Sequence, residues 1–576
     1  MRPFTGSHKA CIIAPMPTTS VPTSAMLGDL DLTSIQDERI RQCLVRLLNL
    51  VEDLTQETHT LREENQRLRD EINRLKGEQG KPSIKAGTKP EGTPPRDHSS
   101  ERERHRPKAW TKSHKLEQIT IDREEVLRVN PVLLPADAEF KGYEAVVVQD
   151  IRLQTDNVRF WKEKFYSACA GKTYLAELPP GYEGEFGPGL RAQVIVLSFA
   201  CQMTEPKILE WLGQVGVQIS QGQISNLLIK GHGQFHAEKE ALYEAGLRSS
   251  PWQHLDDTGT RVNGQNYHCH IVDNPLHTTY LTTASKDRLT VIDVLRNGQP
   301  RTFRLNGEAL GYLESAGVSG VTRQKLSYLA RDQDLDAALL QHLLDEHLPK
   351  LGAQTRKWIV DATAVAAYRA QTQFPVVRLL ICDGALQFSW VTEELALCWV
   401  HEGRHYKKLV PAVPLHRALL DDFLDEFWDF YHELLAYRHH PRPQERTRLA
   451  AAFDTVFTPV TGYRALDERI ALTRAKKGSL LMVLEHPEIP LHNNPAELGA
   501  RQRVRKRAIS FGPRTSEGTK AWDTFMSLAA TAKKLGVNFY HYIHDRISRA
   551  NQIPSLASLI DERAKELNLG ASWAPT

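Results

Sequence analysis

The chain has 576 residues, of which 41% are hydrophobic and 25% charged, and Lys+Arg 73 against Asp+Glu 70 leaves a formal net charge of +3. This ordinary globular composition excludes a wholly disordered chain, and at roughly 150 residues per domain it allows three or four domains. The near-neutral sum announces no nucleic-acid partner, so the sorting of charge along the chain matters more than the total.

Seven cysteines, at 11, 43, 169, 201, 269, 382 and 398, contain no C-x-x-C pair. That argues against a disulfide framework or a cysteine zinc site and for a reducing cytoplasm. No apolar run approaches the roughly 20 residues of a membrane span. Residues 1–32 are rich in Pro, Thr and Ser and read as a disordered N-terminus, with Met26 a candidate start.

Residues 33–76 carry the clearest periodicity. Leu47, Leu54, Leu61, Leu68 and Leu75 recur every seven residues, with Leu44, Val51, Thr58, Asn65 and Ile72 three residues before each. These are the d and a positions of a coiled coil, and Asn65 at an a position favours two strands in one register. Flanking charges match for a parallel homodimer: Glu57 with Arg62, Glu64 with Arg69, and Glu71 with Lys76 of the second chain. Such a helix is on the order of 60 Å long. An amphipathic helix packed on its own domain is the alternative.

Residues 77–115 are Pro, Gly, Ser and basic residues with few aliphatics, a flexible linker. Arg102, Arg104, Arg106, Lys108, Lys112 and Lys115 make its second half basic. It is a candidate phosphate-contacting arm or a merely soluble tether.

Residues 116–245 divide in two. Short alternating runs to about residue 180 predict a small β-rich domain. Helical spacing follows, with Leu190, Val194 and Leu197, then Ile208, Leu209 and Leu212, then Ile224, Leu227 and Leu228. Gly213 and Gly216 mark a turn, and Ser220 is a candidate N-cap. The pattern suits a helix-turn-helix that contacts DNA, and a plain helical bundle fits the same spacing.

Residues 246–300 read as strand, turn, strand, strand, helix, with an Asn263-Gly264 hairpin signal. Asp256 and Asp257 lie on the first strand. An acid there, in an antiparallel meander followed by a helix, opens a ribonuclease H-like fold, an α/β core with a mixed sheet flanked by helices. The second acid belongs on a fourth strand. VVRLLICDG presents Asp383 after a long apolar run, and KWIVD offers Asp361 after a shorter one, so Asp383 is preferred. Glu497 stands near the start of a later helix, with Asn493 or Asn494 as cap and Arg501, Arg503, Arg505, Lys506 and Arg507 behind it. Three converging carboxylates suit two divalent ions that clamp the attacking and leaving oxygens of a displacement at phosphorus. Hard oxygen ligands select Mg²⁺ or Mn²⁺. His268 and His270 share a strand face, but a zinc site would need further ligands that the sequence does not supply.

These stretches resemble the insertion sequence 66 family of bacterial DDE transposases. The match is carried by PGLRAQVIV (188–196), GVQISQGQISNLL (216–228), HLDDT (254–258), CWVHEGRHYKKL (398–409), NNPAELGAR (493–501), RKRAISFG (505–512) and SLAATAKKLGVNFYHYI (527–543). The resemblance implies a transposase in which Asp256, Asp383 and Glu497 are catalytic and hold two Mg²⁺ or Mn²⁺ ions. It implies DNA partners, namely element ends and target, and accessory proteins of the element are candidates as well. Asp257 stands where the family has Glu, so Asp257 and Asn494 are candidates for support around the site. The cysteine zinc motif common in the family is absent here. His401, Arg404, Arg501, Arg505, Lys506 and Arg507 are the candidate DNA contacts. Residues 301–374 and 411–484 read as helical insertions that interrupt the core at 246–300, 375–410 and 485–550, and 551–576 reads as a C-terminal tail. A structure-specific nuclease with the same core, or a zipper-dimerised DNA-binding regulator, is the alternative reading.

Overall fold

The computed structural model describes residues 32–75, 119–135, 137–329 and 332–573. The N-terminal segment before residue 32 and the whole of the basic linker lie outside the described residues, as does the side chain of Leu75.

In chain order the main elements are α1 (Glu38–Leu75), a hairpin of β1 (Lys164–Ser167) and β2 (Lys172–Leu175), and four helices: α2 (Pro188–Phe199), α3 (Glu205–Gln214), α4 (Gln221–Ile229) and α5 (Gly233–Arg248). The meander β3 (Trp252–Val262), β4 (Gln265–Asn274) and β5 (His277–Thr283) follows, then α6 (Ala353–Ala370), β6 (Leu379–Cys382) and β7 (Glu394–Leu397). The last group is α7 (Trp399–Lys407), α8 (Pro414–His439), α9 (Asn494–Ser510), α10 (Ser516–Lys534) and α11 (Leu556–Leu567). The chain divides into two compact units, one from Met1–Asp97 and Leu395–His492, the other from His98–Glu394 and Asn493–Thr576.

In the first unit α1 uses a face that its leucine stripe does not announce. Leu48 is buried and Asn49 is half-buried, donating from Nδ2 to the Gly462 carbonyl at 2.9 Å. Glu52 is buried and caps α8: its carboxylate accepts from the Ala412 and Val413 amides at 2.7 and 3.0 Å and lies 3.2 Å from His416 Nδ1. A carboxylate at a helix N-terminus is favoured by the exposed amides there. Beyond Glu52 the helix is solvated on all sides to residue 69, including Leu54, Leu61 and Leu68. Behind α8, Trp399 packs among Phe427, Phe430, Phe453 and Phe457 and donates from its indole to the Leu480 carbonyl at 2.8 Å.

The mixed sheet has the strand order β5-β4-β3-β6-β7, and its first four strands, with Glu394 of β7, belong to the second unit. β3–β4 and β4–β5 are antiparallel and β3–β6 parallel. Asn263 and Gly264 close the first hairpin, both with positive φ, as a tight two-residue turn requires. One hydrophobic cluster joins Ile195 of α2, Ile208 of α3, Ile224 of α4, Leu242 of α5, Ile271 of β4, Tyr280 of β5 and Phe525 of α10. Residues 188–248 therefore belong to the core that carries the sheet, whereas a separate DNA-binding domain over 116–245 was the expectation. Ser220 does cap α4, its hydroxyl accepting from the Gln223 amide at 3.2 Å.

Two further expectations change. The β-rich domain reduces, among the described residues, to the β1–β2 hairpin, and apolar side chains such as Leu127 and Trp161 stay exposed. A stretch this short holds too little apolar surface to close a core of its own. The C-terminal tail is instead helical: α11 buries Leu556 and Ile560 in the common cluster, and Asp561 pairs with Arg248 at 3.1 Å.

Glu52→Ala leaves the buried Val413 amide without its acceptor, at a cost of about 1–3 kcal/mol. Its unfolding midpoint should fall in denaturant titration, whereas Glu57→Ala, one turn further along the solvated stretch, should not shift it.

Candidate active site

Asp256 lies in the middle of β3, opposite Ile271 of β4. Neighbouring side chains on a strand point to opposite faces, so Asp256 and Asp257 separate. Asp257 accepts from Lys286 Nζ at 3.0 Å and from Gln387 Nε2 at 2.9 Å. Asp256 turns to the other face, with His254.

β6 runs parallel to β3 with Trp252 opposite Leu379 and His254 opposite Ile381. Carried on by two residues, that register sets Asp383 beside Asp256 at the end of the apolar strand. Gly384 then turns the chain at φ +86°, and Asp383 Oδ1 accepts from the Ala385 amide at 2.9 Å.

Glu497 stands in the first turn of α9. Two contacts fix this helix on the sheet. Asn493 lies 3.0 Å from His254 Nδ1 through Oδ1 and donates from Nδ2 to the Leu255 carbonyl at 3.0 Å. Gly499 faces Ile271 so closely that a Cβ would come within 2.7 Å of the isoleucine Cγ2, and its carbonyl accepts from the Tyr280 hydroxyl at 3.2 Å. The helix start, and Glu497 with it, is thereby held over β3.

The electrostatics record the convergence. The Asp256 carboxyl is pushed up to about 7, chiefly by burial, then by the neighbouring Asp383, Glu497 and Asp257 carboxylates, against the pull of the Asp257 amide on its oxygen. Charge on one of these acids disfavours charge on the next, so a cation among them relieves the repulsion. Three carboxylates offer hard oxygen donors of the kind that Mg²⁺ or Mn²⁺ takes.

Asp361 is elsewhere. The KWIVD run is part of α6, and Asp361 is fully buried between Arg288 and Lys357, each at 2.9 Å. The basic run of α9 is divided by the helical period. Arg501 and Arg505 are exposed. Lys506 is buried, donating to the Ser198 carbonyl at 2.6 Å and its hydroxyl at 3.0 Å, with its ammonium pushed down to about 8 by burial. Arg503 is fully buried beside Asp523 at 3.3 Å. Lys506, expected among the DNA contacts, thus serves packing. Arg507 is half-buried and donates to the Gly259 carbonyl. His401 and Arg404 lie on α7 in the other unit, 3.1 Å apart. Asn494 is the first residue of α9. The anchoring role of Asn493 went beyond its expected capping, and the histidine two residues before Asp256 was the available signal.

A model of the Transposase IS66 family matches residues 369–521, a span that holds Asp383 and Glu497. Over 325 residues the chain is 33% identical to the uncharacterized protein y4jO of Sinorhizobium fredii (strain NBRC 101917 / NGR234), covering all of that protein and 56% of this chain. The chain belongs to the IS66 transposase family. The family match suggests a transposase-type enzyme. No solved structure matches it. No helix among the described residues is long and apolar enough to cross a membrane.

Gly499→Ala forces α9 away from β4, at about 1–3 kcal/mol. We expect a lower melting temperature and, at temperatures where the variant remains folded, at least a tenfold loss of transposition. Gly478→Ala, where a Cβ meets open space, should change neither readout.

Proposed function

We propose that this IS66-family protein is a DNA transposase that hydrolyses a phosphodiester at element ends and joins the freed 3′-hydroxyl to target DNA. The carrying observation is the placement of three acids: the β3–β6 register sets Asp383 beside Asp256, and Glu497 stands in the first turn of the helix that Asn493 fixes on β3. The sheet supports a ribonuclease H-like reading: counted from Trp252, its strands lie in the order 3-2-1-4-5, with the first three antiparallel and the fourth parallel to the first.

In this reading Asp256, Asp383 and Glu497 hold two divalent ions, Mg²⁺ or Mn²⁺, which supply activation of the attacking oxygen and charge stabilisation at the leaving oxygen. The chain's part is positioning. β3 and β6 set two carboxylates side by side, and Asn493 and Gly499 bring the third over them. Asp257, engaged by Lys286 and Gln387, steadies the strand end from the opposite face. Hydrolysis breaks the P–O3′ bond with water as nucleophile. Joining forms a new P–O bond from the 3′-hydroxyl and expels a target 3′-oxygen, so no covalent protein–DNA bond is needed. Arg501 and Arg505, exposed on α9, suit phosphate contacts, as do His401 and Arg404 on α7.

The exposed stripe of Leu47, Leu54, Leu61 and Leu68 supports a parallel homodimer through α1, with Asn65 setting register and Leu75 closing the repeat. Pairing two chains lets two DNA ends be handled together.

The reading is tested with DNA that carries the element ends, in Mg²⁺ or Mn²⁺. Asp256→Ala, Asp383→Ala and Glu497→Ala should each lower strand-transfer product at least a hundredfold while end binding persists. Intact transposition in any of them overturns the assignment, and cleavage without joining by the native chain points to a nuclease. Mn²⁺ should raise the melting temperature of the native chain by binding the folded state, and Asp256→Ala should abolish that rise. For the zipper, Leu54→Asp combined with Leu61→Asp should turn a dimer into a monomer in sedimentation equilibrium, and an unchanged mass would exclude α1 as the dimer contact.

A further inference from the structure

The β3–β4 hairpin continues past the acids. Thr260 lies on the same face of β3 as Asp256, four residues further, which is roughly 14 Å at about 3.4 Å per residue. Here the hairpin end and the C-terminus of α9 enclose a cavity of about 430 Å³, lined among others by Thr260, Arg261, Tyr267, His268, Arg507 and Phe511.

Three observations bear on what it takes. Phe511 ends α9 in the left-handed region at φ +59° with its side chain 88% exposed. That conformation is unfavourable for a residue with a side chain, and such positions gather at functional sites. The ring is held out by its surroundings. Gly512 follows at φ +90°, where a Cβ would meet the Arg261 carbonyl at 2.5 Å, and the Asn263 amide donates to the Pro513 carbonyl at 3.0 Å. Arg507 ties the helix to the hairpin through Gly259.

Second, Thr260 is only 3% exposed, and its hydroxyl has no hydrogen-bond partner among the described residues. Buried polar atoms are nearly always satisfied, so an unpaired hydroxyl in the cavity wall points to an absent partner. Third, no carboxylate lines the cavity, and neither Arg261 nor Arg507 has an ion-pair partner among the described residues.

A bare phosphate has no use for the Phe511 ring, and an apolar ligand has none for the unpaired Thr260 hydroxyl. A nucleotide uses all of these: its base has a face to stack on an aromatic ring and an edge to hydrogen-bond, and its phosphate seeks arginine. We propose that this cavity receives one unpaired base of the DNA strand held at the carboxylates, turned out of its stack. This rests on the DNA reading above. Phe511 and Tyr267, which shares the face of Thr260, flank the base, Thr260 Oγ1 bonds its edge, and Arg261 and Arg507 hold the adjoining phosphates. The energy of unstacking is least where a base is already unpaired, so the cavity selects distorted over intact duplex.

The test uses the full chain in Mg²⁺ and two duplexes of one sequence, one fully paired and one with a single bulged 2-aminopurine. The native chain should bind the bulged duplex about tenfold more tightly in fluorescence anisotropy, and the 2-aminopurine emission should change on stacking. Phe511→Ala and Thr260→Val should each reduce the preference to threefold or less and leave affinity for the paired duplex within twofold. Phe511→Trp should retain both the preference and the emission change. Equal affinity of the native chain for both duplexes, or a preference unmoved by Phe511→Ala and Thr260→Val, overturns the base pocket and leaves the DNA reading standing. Failure to bind either duplex overturns both.

Discussion

Asp256, Asp383 and Glu497 repel one another, and the second unit is arranged so that none of them can leave. Asp256 is fixed by ladder bonds in the middle of a strand with partners on both sides. Asp383 follows a strand whose four residues are all buried, so moving it means pulling Leu379–Cys382 out of the sheet. Glu497 sits in a helix clamped at its start by Asn493 and pressed against β4 where Gly499 removes a side chain. The stability of the surrounding core thus holds in place a cluster of like charges that, left alone, would separate. Burial adds to the effect: it raises the Asp256 carboxyl more than either neighbour does, because the charged form loses its water.

Helix α9 shows how one segment meets two demands. Its inward side carries Arg503 and Lys506, each engaged by α10 or α2: Arg503 by Asp523, Lys506 by Ser198. Its outward side carries Arg501 and Arg505. The inward cations are structural and the outward ones remain available to a polyanion. The formal +3 of the chain conceals this split, because a buried, neutralised arginine counts as much in the sum as an exposed one.

The legible parts of the sequence were those with a local period or a local motif. The strand ending at Asp383, the Asn263-Gly264 turn, the Ser220 cap and the long helix could all be read because each is fixed by a few neighbouring residues. What could not be read depends on contacts far along the chain. The apolar runs of 116–180 look like strands, but a strand needs a partner with a matching register, and the described residues supply one hairpin. The helices at 188–248 look like a module of their own, yet the apolar faces that define them close on β4, β5 and α10, which arrive later in the sequence. KWIVD resembles a strand over five residues and is helical over eighteen, since the alanines on either side of it set the longer period.

The same limit explains what a heptad pattern hides in α1. Leu47 and Leu48 are adjacent, and successive residues on a helix are about 100° apart, so they serve different surfaces. The stripe through Leu47, Leu54, Leu61 and Leu68 is apolar and regular. The face through Leu48, Asn49 and Glu52 is polar at two of three positions and carries no such signal, yet it makes the helix part of its unit. Its hold ends near residue 53, and the solvated stretch up to Ile72 rises about 28 Å beyond it at 1.5 Å per residue. A helix anchored by polar contacts at one end and striped with leucine along the other needs no hinge within its described length to present that stripe. The anchor fixes the rotation of the helix about its axis, and the helical repeat then fixes the direction in which the leucines face.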